Sequence, residues 1–202
     1  MNSSFPRPHN RADLPEHIRR VANTLFQSNG YTQVTMEQIA NLASVSKRTL
    51  YKYYPAKEAL LEEVLEKTLA SDLAKFDLQF YEGGSFRSTV TSVLQASALW
   101  CEQHTDYLLP YVRYKFITFE PNTDSKEDRG LLPFWTTLIA TAQNRGELRA
   151  NRAPVQLAVY FHYLYLAVLL RWLTTPELDL RNEFDAMASF FLEGASNNVI
   201  KN

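Results

Sequence analysis

The sequence predicts an all-α protein with a small three-helix unit near its N-terminus and a larger helical body behind it. Three observations carry that prediction. Apolar residues recur at helical intervals over most of the chain, without the strand-like alternation that would mark a sheet. Asp13, Thr35, Ser46 and Ser85 stand at helix-start positions, while Gly30 and Pro55 close two of the periodic runs. The 202 residues are 46% hydrophobic, enough for one or two packed units with a real core. The predicted organisation is a disordered arm over 1–10, a three-helix unit over 11–56 and a body over 57–202.

The arm is inferred from Pro6, Pro8 and the polar residues around them. Arg7 and Arg11 could touch phosphate, although a solvated terminus is the simpler expectation for them. The first helix starts at Asp13 and Pro15, and Ile18, Val21, Ala22, Leu25 and Phe26 form one buried stripe along it. Gly30 supplies the stop. Thr35 and Gln38 have capping-box spacing, which opens a short second helix with Met36, Ile39, Ala40 and Ala43 on its apolar face. Ala43, Ser44 and Val45 make a turn, and Ser46 caps a third helix.

Successive side chains rotate by about 100° around a helix axis, which polarises that third helix. Lys47, Arg48, Thr49, Tyr51 and Lys52 share one broad arc, Leu50 and Tyr54 lie opposite as anchors, and Tyr53 sits on the border. Pro55 disfavours helical geometry at Tyr54, so the helix is short. A short, rigid, basic helix held by a tight turn suits a major groove about 12 Å wide. This is a helix-turn-helix.

The stretch VSKRTLYKYYPAKEAL resembles the DNA-binding end of the TetR family of bacterial transcriptional regulators, whose pattern is close to T-x-x-x-I-A-x-x-A-G-V-S-x-x-T-L-Y-x-Y-F-x-x-K-x-x-L. The resemblance covers about Leu14 to Leu61; beyond that it is one of helical character and length. It implies phosphate contacts from Thr35, Tyr51 and Lys57, and groove contacts from Lys47, Arg48, Thr49, Lys52 and Tyr53, with Ser46 at the head of the same helix. Phosphate contacts set register and groove contacts set sequence. The chain departs from the pattern at three positions. Ser44 replaces a turn glycine, Tyr54 replaces Phe and adds a hydroxyl that needs a partner, and Ala56 replaces a Ser that would cap the next helix.

Net charge is −1, which looks wrong for a DNA binder until the chain is divided. Residues 1–55 carry 7 Lys or Arg against 3 acids, whereas residues 56–202 carry 14 against 19. A basic reader on an acidic body binds DNA at one end and keeps the rest off the phosphates. A lone Cys101 excludes an internal disulfide and, lying beside Trp100 in an apolar run, reads as a buried, inert thiol. No apolar signal segment precedes the first unit, so a reducing cytoplasm is expected. No Cys/His spacing suits a metal, no cofactor is implied, and no catalytic triad or phosphate-cradling Gly loop marks an enzyme.

In the body, Leu60, Leu61, Val64, Leu65 and Leu69 begin a long helix from Lys57 to about Phe80 that joins reader to body. Glu82, Gly83 and Gly84 break the chain, Ser85 restarts it to about Gln103, and Pro121 to Gly130 is a loop. Ala153 to Leu173 is long and apolar enough to raise the question of a membrane span. Gln156, His162 and Arg171 interrupt it, Pro154 suits a helix start, and no basic flank supports insertion, so it is expected to be buried in protein instead. One face would meet its own body and the other a second copy of the chain.

A last helix over about Leu180 to Val199 would join it in a four-helix dimer bundle, as the resemblance also implies. Tyr160, Tyr163, Leu164, Ala167 and Arg171 are the interface candidates on the first helix, and the second offers Phe184, Met187, Phe190 and Phe191 for the same purpose. A homodimer would engage an inverted-repeat operator on double-stranded DNA. The resemblance further implies a small-molecule effector in the body. Its aromatic content points to a hydrophobic or aromatic ligand, with candidate contacts at Trp100, His104, Tyr107 and Tyr111. Arg113, Tyr114, Trp135 and His162 complete that set. The expected function is therefore a dimeric repressor released by its ligand. An activator or ligand-independent regulator with the same reader is the alternative, and a helical adaptor or enzyme without DNA binding is a remoter one.

Overall fold

A computed structural model describes residues 13–73, 84–118 and 131–195, and every regular element among them is a helix. In order these are α1 (Leu14–Asn29), α2 (Met36–Leu42), α3 (Lys47–Tyr53), α4 (Lys57–Leu73), α5 (Phe86–Gln103), α6 (Thr105–Ile117), α7 (Leu132–Asn144), α8 (Pro154–Thr174) and α9 (Leu180–Ala195). The arm over 1–10, Arg7, Arg11, the 121–130 loop, and the expected continuations of α4 to Phe80 and α9 to Val199 lie outside the described residues.

The reader unit follows from its caps and its stripe. Ile18, Val21, Ala22 and Phe26 are buried along α1, with Leu25 packed at the edge of the same core. Gly30 takes φ 78° and its N–H donates to the Phe26 carbonyl, ending the helix. Asp13 stands before α1 but makes no side-chain cap, because its own backbone is already helical and its carboxylate is not turned onto the free N–H groups. His17 is buried on α1, and its Nε2 pairs with the Ala43 carbonyl at 3.1 Å. That bond spans the unit and holds α1 to the turn between α2 and α3.

The linker α4 belongs to both units. Leu60, Leu61, Val64 and Leu65 are buried, and α4 packs on α1 on one side and on α6 on the other. In the body, α7 packs on α8, α8 on α9, and α9 on α5. An aromatic line crosses these layers: Trp135 of α7 lies 4.6 Å from Phe161 of α8, which lies 5.0 Å edge-on to Phe191 of α9. Tyr165 stacks on Phe184 at 5.1 Å. A fully buried ring of this kind contributes about 1.5 to 3 kcal/mol relative to leaving it exposed. α8 has the length and composition of a membrane span. Its Leu157, Ala158, Phe161, Tyr165, Leu166 and Leu169 nevertheless form the stripe against α7 and α9, as a core helix requires.

Two helices, α6 and α7, carry no start signal as clear as those of the reader. Only His104 separates α5 from α6, and Pro110 lies inside α6, where it removes one intrahelical hydrogen bond without ending the helix.

Candidate nucleic-acid interface

The frame of the interface is built from backbone donors that find side chains. The Thr35 hydroxyl accepts from the Gln38 N–H at 3.2 Å, and the Gln38 amide oxygen accepts from the Thr35 N–H at 2.8 Å, completing the capping box. Ser46 Oγ accepts from the Thr49 N–H at 3.0 Å and also meets the Thr49 hydroxyl at 2.8 Å. Between the two helices Ser44 takes φ 55°, the left-handed conformation that a turn glycine would adopt without strain. The departure at Ser44 therefore changes the residue and keeps the turn.

On α3, Leu50 is fully buried and Tyr54 nearly so, while Lys47, Arg48, Tyr51 and Lys52 are exposed and Thr49 and Tyr53 are half-buried. Thr35 and Ser46 are exposed beside them. The extra hydroxyl of Tyr54 is satisfied: it donates to Glu63 of α4 at 2.5 Å and lies 3.3 Å from the Pro15 carbonyl. Burial and the Glu63 carboxylate raise its pKa well above the ordinary tyrosine value. Tyr31 does the same through Glu58, donating at 2.8 Å.

Lys57 is more committed than the sequence suggests. Its ammonium donates to the carbonyls of Tyr31 at 2.9 Å and Val34 at 2.8 Å, and sits 4.1 Å above the Tyr31 ring. Burial lowers its pKa, with Glu58 opposing. Two of its three donors are thus spent on holding the segment that leads into Thr35. Lys47 is paired with Glu37 of α2 at 2.8 Å, both side chains remaining more than half exposed.

Residues 18–64 match the model of the family described as bacterial regulatory proteins, tetR family. The regulator of mycofactocin biosynthesis MftR, from Mycobacterium tuberculosis, is 42% identical over 50 residues, an alignment that spans a quarter of each chain. The HTH-type transcriptional repressor KstR2 of Rhodococcus jostii is 23% identical over 163 residues, 75% of this chain and 76% of its own. The crystal structure of Thermus thermophilus FadR, a TetR-family repressor, superposes with a TM-score of 0.76 at 26% identity, covering 93% of this chain and 96% of that one. Residues 18–64 therefore carry a TetR-family DNA-binding unit, and the whole chain is similar in fold to a TetR-family repressor. It is a DNA-binding transcriptional regulator with an N-terminal helix-turn-helix unit and a helical C-terminal body.

In the body, the residues singled out in the sequence fall into separate places. Trp100, His104 and Tyr107 come together, with Trp100 and His104 stacked at 4.2 Å, in a cleft of about 70 Å³. Its other walls are Asn23, Phe26 and Gln27 of α1 and Leu61, Val64, Leu65 and Thr68 of α4, so it lies at the junction of reader and body. Tyr111 is buried deeper on α6, Tyr114 is half-buried, and Arg113 is exposed, on the side of α6 that faces solvent. Trp135 is in the body core and His162 is half-buried on α8, and their buried Nε1 and Nδ1 atoms have no protein hydrogen-bond partner among the described residues. The Cys101 thiol is buried, which pushes its pKa up to about 11 despite Tyr165 and Ser97 nearby. No group of three potential metal-ligating side chains occurs among the described residues.

The interface candidates also separate. Tyr160, Ala167 and Arg171 are exposed along α8 with Leu164 half-buried, and Arg171 pairs with Glu183 of α9. Tyr163 turns toward Phe116 of α6, their rings 6.1 Å apart. Phe184, Met187 and Phe191 are buried against the chain's own α8 and α5, so their packing role is within the protomer. Phe190 is the α9 aromatic turned outward, 69% exposed, and with Tyr160 and Leu164 it lines an open groove of about 540 Å³. The sequence reading groups all four; the structure separates Phe190, exposed, from Phe184, Met187 and Phe191, buried.

Proposed function

We propose that the chain is a homodimeric repressor that binds an inverted-repeat operator through α3 and is released when a small hydrophobic or aromatic ligand enters the body. The observation that carries the DNA half of this reading is the solvent-facing arc of Lys47, Arg48, Tyr51 and Lys52 on a helix whose opposite face, Leu50 and Tyr54, is locked into the reader core. Arg48 and Lys52 are the base-reading candidates, and Tyr51 and Thr35 the phosphate contacts. Lys57 contributes its remaining donor to phosphate and its other two to the approach of Thr35.

The exposed rings of Tyr160 and Phe190, with half-buried Leu164, support dimerisation through α8 and α9, since a large aromatic group in water beside a groove gains by being covered. FadR of Thermus thermophilus was crystallised with lauroyl-CoA, which supports a hydrophobic ligand for this body. The buried, unpartnered ring nitrogens of Trp135 and His162 would fix the polar part of such a ligand. The relatives are regulators, so the body acts through binding rather than chemistry, and the protein works in the cytoplasm where its DNA is.

Selection of binding sites from random duplex DNA tests the reading. Enrichment of an inverted repeat with half-site centres about 34 Å apart is expected. Failure to enrich any motif at low salt, where phosphate attraction is strongest, would remove the reader role from α3.

A further inference from the structure

Lys115 of α6 is a charged side chain in a mostly buried setting, its side chain 19% exposed, and it is held by two carboxylates of the linker helix. Its ammonium donates to Glu62 at 2.8 Å and to Glu66 at 3.0 Å, whose side chains are 16% and 12% exposed. Glu62 and Glu66 are i, i+4 on α4 and so present adjacent oxygens on one face. Burial alone would lower the pKa of Lys115, but Tyr111 and the two carboxylates more than offset it and raise it above the ordinary lysine value. A short-range, directional ion pair in a poorly hydrated place is a stiff link, because sliding either helix leaves a buried charge unpaired.

The same helix grips the reader through different residues. Lys57 binds the Tyr31 and Val34 carbonyls, Glu58 receives Tyr31, and Glu63 receives Tyr54 at the end of α3. Along α4, the ties at 57, 58 and 63 go to the reader and those at 62 and 66 go to the body. From these ties we infer that Lys115 is a positioning residue: with Glu62 and Glu66 it sets the angle of α4 against the body and thereby the distance between the two reader helices of a dimer. The inference rests on the dimeric-regulator reading given above. Changes within the body that move Lys115 off Glu62 and Glu66 would then loosen half-site register without touching any residue that meets DNA.

The test compares operators selected from random duplex DNA by the wild-type protein and by the triple variant Lys115→Met, Glu62→Gln, Glu66→Gln, which removes the ion cluster without leaving an unpaired charge. The expected result is an unchanged half-site sequence, a wider range of accepted spacers, each base pair moving the half-sites by about 3.4 Å, and at least about fivefold weaker binding at the wild-type spacing. An unchanged spacer distribution, with affinity at that spacing unaltered, would overturn the role. If the triple variant does not fold, Glu66→Gln alone, which turns one of the two ion pairs into a neutral hydrogen bond, must broaden the spacers part of the way, or the inference fails. A wild-type protein that selects no repeat would overturn the regulator reading itself, and the positioning role with it.

Discussion

Arg48 and Ser44 show how much single residues carry in this protein. Arg48 is exposed on an arc whose backbone is fixed by Ser46 and whose far side is fixed by Leu50. Replacing it with Ala should weaken operator binding by roughly 1 to 3 kcal/mol and relax the preferred base at one position; a uniform loss over all sequences would make it a phosphate contact. Fluorescence anisotropy on single-base operator variants measures the difference. Ser44 holds φ 55° at a place where a side chain crowds the backbone. Ser44→Gly should raise stability by about 0.5 to 1 kcal/mol in urea unfolding, the relief of left-handed strain exceeding the added freedom of the unfolded chain. A loss of stability would mean that Ser44 makes up for its conformation elsewhere. His17 is a residue that the sequence reading does not single out: it is the buried tie from α1 to Ala43. Nothing in a linear pattern announces a bond between residues 26 positions apart.

The elements were legible in proportion to how local their causes are. The α1 stripe, the α2 capping box, the Ser46 cap and the Pro55 stop all lie within a few residues of what they control, and each stands where the sequence puts it. The α5 start at Ser85 and the α8 start at Pro154 follow the same logic. The α5 end at about Gln103 was legible too, whereas the immediate restart of α6 at Thr105 was not, because α6 is held by its packing against α4 and α8. Functional residues divide likewise. The α3 arc follows from angle alone, whereas the Lys115 cluster joins residues about fifty positions apart. His162 on α8 belongs to this second group. Burial, followed by the nearby Lys115 charge, pushes its pKa down to about 4 from 6.5. A histidine that folding keeps neutral stabilises fully above about pH 6.5 and loses that contribution as pH falls toward 4, by at most about 3 kcal/mol. Urea unfolding at pH 7.5 and 4.5 should therefore show a smaller acid loss for His162→Gln than for wild type. Equal losses would mean that His162 is readily protonated in the folded state.

Across the whole molecule the charge division and the outward apolar side chains of α8 and α9 point to one arrangement. The reader end is basic and the body acidic, so the body is repelled by the DNA that the reader grips. Tyr160, Leu164 and Phe190 lie on the body, in the proposed contact with a second copy. Phe190→Glu should shift the protein toward monomer in sedimentation velocity while leaving its helical circular dichroism intact, because Phe190 is outside the core; an unchanged dimer would place the interface elsewhere. The central claim is that two such readers act together on one duplex. It is tested most directly by light scattering of the complex on a selected operator, combined with titration onto the same operator with one half-site scrambled. The account predicts an even number of chains per duplex, two in the simplest case, and a loss of at least about tenfold in affinity when one half is scrambled. A single chain bound per duplex, with affinity indifferent to the second half-site, would contradict it.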